Sequence, residues 1–300
     1  MMFKKRLFLF ILFSFLHAFS LFATPRRIIC LAPSITEIVY ALGAGRRVVG
    51  VSNFSNYPPA ATKKTKIGPF TTPNLEAIIA LRPDLVIGLK GANPAWVFKR
   101  LKKLNIQVLL LKNGGIDTIW ENILCVGKAL DKEVRAKDLV KKLQEEINTL
   151  TQRIKNLPKP KVFFQLSLRP LFTCGRPSYL HDLIVLAGGI NIADDVNIPY
   201  SIVSLEKVVA NAPQVIILCL RQEDVKQALK FWKRFPKIPA VKEHRLYAVN
   251  PDLFARPSPR IVRALEVLIN LLHFDAPDKK DRFGDKLLLP FLQYNIFQCV

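Results

Sequence analysis

The chain is poor in the side chains that carry covalent chemistry. Its four histidines are His17, His181, His244 and His273, and no two of them stand at metal-ligand spacing. The five cysteines, at 30, 125, 174, 219 and 299, form no C-x-x-C pair. Cys30 and Cys219 lie in strand-like apolar runs and read as small core residues, and no disulfide is expected. There is no G-x-S-x-G elbow, no Walker A loop and no G-x-G-x-x-G after the first apolar strand. Gly43-Ala44-Gly45 runs into Arg46-Arg47 and reads as a helix stop. Catalytic residues, a metal site and a cofactor are all expected to be absent.

Recognition chemistry is better supplied. APS (32–34), NFSNYPP (53–59), GPFTTP (68–73), LKGANP (89–94), RPLFTCGRP (169–177), NIPYSIV (197–203) and PDLFARPSPR (251–260) read as loops at strand ends. Near the middle of most stands an aromatic: Tyr57, Phe70, Phe172, Tyr200 and Phe254. In α/β proteins ligands bind beyond the carboxyl ends of the strands, so these loops should border a cleft. Flat rings with a few charged neighbours suit a sizeable organic ligand. For any one ring, capping the core is an equal alternative.

A carboxylate also recurs. NLEAIIALRPDLVI (74–87) returns 130 positions later as SLEKVVANAPQVII (204–217). Leu75 and Leu205, Glu76 and Glu206, Ala80 and Ala210, and Pro83 and Pro213 are identical. Asn74 and Ser204 read as N-caps of short helices that the prolines end, and DLVIGL and QVIILCL read as buried strands. A glutamate in a first helical turn is favoured by the helix dipole, typically by about 0.3–1 kcal/mol, which alone accounts for either residue.

The elements around these residues follow a strand–helix–strand grammar. RRIICLAP is an Ile-rich strand, and SITEIVYALGAG is a helix whose Ser34 and Glu37 match a capping box. RVVGVS is the next strand, so the class is α/β with a largely parallel sheet. From Asp131 to Lys155 there is no Gly or Pro, and Val134, Leu139, Leu143, Ile147, Leu150 and Ile154 recur at helical spacing. This predicts one long helix of roughly 35 Å. The strand VFFQLSL opens a second unit, and RIVRALEVLINLLHF closes it. The expected organisation is a signal peptide at 1–23, an N-terminal lobe at 26–130, a connecting helix at 131–157 and a C-terminal lobe at 160–274. Residues 275–300 form a tail with no assigned role.

Lys4-Lys5-Arg6 followed by the uncharged run LFLFILFSFLHAFSLFA predicts export through a cleaved signal, an uncleaved anchor being the alternative. The net charge of +22 attracts anionic partners. Export and the scattering of Lys and Arg along helical segments such as KRLKKL argue against nucleic acid.

RIICLAPSITEIVYALGAGRRVVGVSNFSNYPP, NLEAIIALRPDLVIGLKGAN, PLFTCG, SLEKVVANAPQVII and FARPSPRIVRAL together resemble the substrate-binding proteins of cobalamin, haem and ferric-siderophore ABC importers. The likeness spans roughly 26–274 and is nearest to the cobalamin binders. It implies two Rossmann-like lobes joined by one long helix, little closure, and a ligand held between the lobes. It also implies a non-enzymatic, monomeric carrier that works outside the cytoplasm and meets the membrane through a permease. Glu76 and Glu206 match the glutamates by which such proteins dock on that permease. Tyr57, Phe172 and Asp252 match ligand-facing positions, whereas Phe70, Leu89 and Tyr200 stand where the cobalamin binder has Trp. Lys90, Arg169, Arg176 and Arg256 could face carboxylates or phosphate of the ligand. With Phe254, the expected ligand set is Tyr57, Phe70, Lys90, Phe172, Tyr200, Asp252, Phe254 and Arg256. Cobalamin is the first choice of transported ligand, followed by haem or a ferric siderophore. A membrane-anchored adaptor and a metal-dependent α/β enzyme are the readings from other classes.

Overall fold

The structure, a computed structural model, describes residues 24–274. The expected signal peptide at 1–23, the tail at 275–300 and Cys299 lie outside the described residues.

Nine strands form two parallel sheets. β1 (Ile28–Cys30), β2 (Val48–Val51), β3 (Thr65–Lys66), β4 (Leu85–Leu89) and β5 (Gln107–Leu111) make the first, in the order β3-β2-β1-β4-β5. β6 (Lys161–Gln165) is followed by the short strands β7 (Phe172–Cys174), β8 (Ile190–Asn191) and β9 (Tyr200–Ile202), then β10 (Val215–Leu218) and β11 (Leu246–Ala248). The second parallel sheet has the order β11-β10-β6-β8, while β7 and β9 pair antiparallel as a separate ribbon. The central strands are buried on both faces, which is why they read as unbroken Val/Ile/Leu runs with no alternation. In each sheet the chain reverses direction at one place, between β1 and β4 and between β6 and β10. A crevice opens beyond the strand ends at such points.

The repeated unit folds twice into the same object. Leu75–Ala80 and Leu205–Asn211 are short helices, capped by the Asn74 side chain accepting from the Ala77 N–H and the Ser204 side chain accepting from the Lys207 N–H. Both units turn through a left-handed residue just before the proline, Arg82 at φ 45° and Ala212 at φ 47°. Residues 73–80 and 203–210 are buried and exposed in the same order, with Ile78 and Val208 each fully inside.

The connecting helix runs Glu133–Gln152, about 30 Å at 1.5 Å per residue. Its buried stripe is Ala136, Val140, Leu143 and Ile147. Val134, expected on that stripe, faces solvent, because the helix lies against both Ile116–Ala129 and Ile261–His273 and the two contacts fix its rotation. One apolar cluster runs from β1 and β4 through this stripe to Val162, Phe164 and Ile217 of the second sheet. The lobes therefore share a core.

A second correction concerns the helix Pro33–Ala41. Its N-cap is Ala32 and no side chain caps it. Ser34 and Glu37, read as a capping box, are inside the protein. Gly43, at φ 75°, does stop this helix, its N–H donating to the Tyr40 carbonyl while the Ala44 N–H donates to that of Val39. Among the described residues no helix is long and apolar enough to cross a membrane.

Candidate functional site

The first-lobe half of the site is built around Asn93, a buried side chain just past the end of β4. Its Oδ1 accepts from the Leu89 N–H at 2.6 Å, and its Nδ2 donates to the carbonyls of Leu31 at 3.3 Å and Phe70 at 2.7 Å. One amide thus ties the Phe70 loop to the ends of β1 and β4, at the point where the sheet reverses. The loop after β2 is held by hydroxyls: Thr36 Oγ1 donates to Ser55 Oγ at 3.0 Å, and Ser52 and Ser55 share a hydrogen bond of 3.0 Å. Lys66 Nζ adds a bond to the Ser55 carbonyl at 2.8 Å. Tyr57 and Phe70 are exposed, as is Lys90, whose carbonyl is held by Asn113 Nδ2 at 2.9 Å.

The second-lobe half is the β7–β9 ribbon. Phe172 faces Ile202 across the pair and Cys174 faces Tyr200. Side chains alternate along a strand, so Phe172, Tyr200 and Ile202 share one face. Ile202 is 64% exposed and Ile198 on the approach to β9 is open as well, a large apolar area to leave in water. Part of the Tyr200 ring is open to solvent, yet enough protein surrounds it for desolvation to push its hydroxyl up to about 12. That combination is expected on the wall of a concavity. Tyr200 offers the site a neutral hydroxyl at any physiological pH.

The halves are joined by charge. Glu37 is almost wholly buried, and Arg260 grips it with Nε on Oε2 at 2.8 Å and Nη2 on Oε1 at 2.6 Å. Arg256 Nη1 adds a bond to Oε1 at 3.1 Å and Ser258 Oγ one to Oε2 at 2.5 Å. Arg256 also donates to Asn56 Oδ1 at 2.7 Å, to the Phe54 carbonyl at 3.0 Å and to Asp252. Asp252 in turn accepts from Asn56 Nδ2 at 2.7 Å, and the Arg260 guanidinium lies 4.1 Å from the Tyr57 ring centre. A second tie sits at the end of β5. There Asp182 accepts from the Ile116 N–H at 2.7 Å, and the Tyr179 N–H donates to the Gly114 carbonyl at 3.2 Å. A Cβ on Gly115 would come within 2.5 Å of Asp182 Oδ2, so only glycine lets this carboxylate reach the helix end. The two ties lie beyond β2 and β5, either side of β1 and β4. Both ties join the first lobe to the second.

Two expected ligand residues are corrected. Phe254 is 1% exposed and packs on Phe164 with ring centres 5.9 Å apart, because a short helix at Pro251–Phe254 turns it inward. Arg256 is buried and committed to Glu37, Asp252, Asn56 and Phe54, so it cannot face a ligand anion. Tyr57, Phe70, Lys90, Phe172, Tyr200 and Asp252 keep surface at the loops. Arg169 is exposed, and Arg176 leans on Asp194 with Nη2 3.4 Å from the carboxylate. Phe54, Asn93, Ile198 and Ile202 join the site with no motif to mark them, and Glu37, which has the spacing of a cap, ties the lobes instead. Only the i, i+4 spacing of Arg256 and Arg260 hinted at a buried anion. A cavity of about 380 Å³ adjoins Tyr57 and Arg260 on the side of Leu139 and Leu143, and it is lined by none of Phe70, Lys90, Phe172 or Tyr200. Glu76 and Glu206 lie outside the cleft, exposed in the first turns of the repeated helices. Among the described residues no three His, Cys, Asp or Glu gather to hold a metal.

Residues 28–253 match the family described as periplasmic binding protein. The vitamin B12-binding protein of Salmonella typhimurium is 34% identical over 252 residues, 84% of this chain and 91% of that one. The crystal structure of the periplasmic vitamin B12 binding protein of Vibrio cholerae superposes with a TM-score of 0.71 at 30% identity, over 83% of this chain and 97% of that one. The periplasmic haem-binding protein of Roseiflexus sp. RS-1 in apo form gives a TM-score of 0.72 at 28% identity, over 82% and 98%.

Proposed function

Because this chain belongs to the periplasmic binding protein family, we propose that it captures a large metal chelate, cobalamin first, and delivers it to the permease of an ABC importer. It acts as a periplasmic monomer, by equilibrium binding and without catalysis. What supports the reading is that Tyr57 and Phe70 on loops of the first lobe and Phe172 and Tyr200 on the ribbon of the second all keep exposed surface, while buried ion pairs join the two lobes. Rings held apart in advance pay little ordering entropy when a flat macrocycle enters. Lys90 and Asp252 supply charge at the rim, and Phe54, Ile198 and Ile202 extend the apolar surface. Glu76 and Glu206 dock the loaded protein on the permease, one from each lobe.

A haem or ferric-siderophore ligand is the second reading. What favours it is that the four rings proposed for the walls, Tyr57, Phe70, Phe172 and Tyr200, are phenyl or phenol, a smaller flat surface than indole would offer a corrin. Titrating the purified protein with cobalamin, haem and a ferric siderophore, followed by absorbance and calorimetry, tests both. One-to-one cobalamin binding that weakens at least tenfold in Tyr200→Ala supports the first. Binding of haem or siderophore alone moves the assignment to the second, and indifference to all three rejects both.

A further inference from the structure

The repeated helices carry more than a repeated carboxylate. Three residues beyond Glu76 stands Ile79, and three beyond Glu206 stands Val209, each on the same helical face as its glutamate. Ile79 is 38% exposed and Val209 41%. Ala80 and Ala210, one residue on, are exposed too, while the neighbours Ile78 and Val208 are fully buried.

One exposed aliphatic side chain is ordinary on any protein surface. The same exposure at the same position of two units, beside the same acid, is a different observation. It is not a blanket relic of similarity, because other positions that are exposed or half-buried have diverged: Ala77 against Lys207, Arg82 against Ala212, Asp84 against Gln214. Lys207 even pairs with Asp195 at 2.7 Å, a contact the first unit has no residue to make. What the two units share on the outside is an acid, a branched aliphatic and an alanine. Branched residues are also weak helix formers, so local propensity does not call for Ile or Val there.

Magnitudes then decide what the patch is for. An ion pair on an exposed surface shifts an equilibrium by no more than about fivefold, and salt screens it. Burying an exposed branched side chain is worth about tenfold and resists salt. Carboxylates alone would give a weak, salt-labile contact.

We propose that Ile79 and Val209 are the apolar anchors of permease docking. Each lobe presents a mixed site, Glu76–Ile79–Ala80 and Glu206–Val209–Ala210, to one of two identical sockets on a two-fold partner. Each socket pairs a cation with an apolar depression. Two equivalent sites on one chain fit a partner whose own symmetry supplies two equivalent receptors. The inference rests on the docking role of Glu76 and Glu206 and adds the component that survives salt.

The test is the affinity of the protein, with and without added cobalamin, for the importer permease in lipid nanodiscs, measured at low and high salt. Ile79→Ala and Val209→Ala should each weaken docking about five- to tenfold, and the double variant should weaken it multiplicatively. Loss should persist at high salt, with ligand affinity and melting temperature unchanged. Ile79→Thr with Val209→Thr keeps the branched shape and controls for any helix effect; it should weaken docking as well. Glu76→Gln with Glu206→Gln should instead flatten the salt dependence. Wild-type docking by both the alanine and threonine pairs overturns the inference. If the glutamine pair alone abolishes docking, the carboxylate reading stands and only the anchors fail. If neither class of variant matters, the whole surface is wrong.

Discussion

Arg260 grips Glu37 with two parallel hydrogen bonds across 223 positions of sequence, closing the second lobe onto the first beside the opening of the cleft. Both oxygens of the carboxylate are shared with further donors, Arg256 Nη1 and Ser258 Oγ. A buried charge so fully paired is tolerable, whereas a partly paired one is costly. Satisfying this carboxylate is one constraint on lobe orientation, beside the shared core and the Asp182 tie.

Glu37→Ala should destabilise the protein by about 3 kcal/mol, since it removes the carboxylate partner of Arg260 and one of the two carboxylate partners of Arg256. Thermal melting checks this. Glu37→Gln keeps shape and some hydrogen bonds and should lose less, while cobalamin affinity falls because the walls are no longer held apart.

At the second tie, Asp182→Ala removes the acceptor of the Ile116 N–H and should cost about 1 kcal/mol, as for a lost helix cap. Gly115→Ala should cost at least as much, since its Cβ would press on Asp182 Oδ2. The double variant should cost less than the sum of the two, because both act through one contact. Denaturant titration of the three variants is the measurement.

Core rings and exposed loop side chains can be told apart by mutation. Phe254→Leu should lower stability by about 1 kcal/mol and leave ligand affinity alone, because the ring lies in the core. Ile202→Ala should do the reverse, weakening binding several-fold with an unchanged melting temperature. Equal effects of both on affinity would return Phe254 to the cleft.

Burial raises the thiols of Cys30, Cys174 and Cys219 from an ordinary value of 9.0 to about 12. At pH 8 these three should resist iodoacetamide while exposed Cys125 reacts, which peptide mass spectrometry would show. The same shift has a stability consequence. Because the folded thiols hold their protons more tightly than unfolded ones, their contribution is complete below about pH 9 and is lost as pH rises through about 12. Alkaline melts should decline over that window.

Much of this protein was legible in one dimension, and for a local reason. Parallel strands buried on both faces must be continuous aliphatic runs, and short helices must start at a capping side chain and stop at a break, so DLVIGL, QVIILCL, Asn74, Ser204 and the prolines announce themselves. The repeat, the two α/β units and the connecting helix all follow from such short-range rules, as does the exposure of Glu76 and Glu206 in first turns. What only the tertiary structure decided is which polar and aromatic residues turn inward. Glu37 has the spacing of a cap and becomes the anion of an inter-lobe ion network; Arg256 has the composition of a ligand clamp and is spent on that anion. Phe254 looks like a cleft ring and fills the core. Val134 has helical periodicity and faces water because two neighbouring helices set the rotation of its helix. Each of these depends on partners far away in the chain, and no local pattern records where a distant counter-charge or packing surface will arrive.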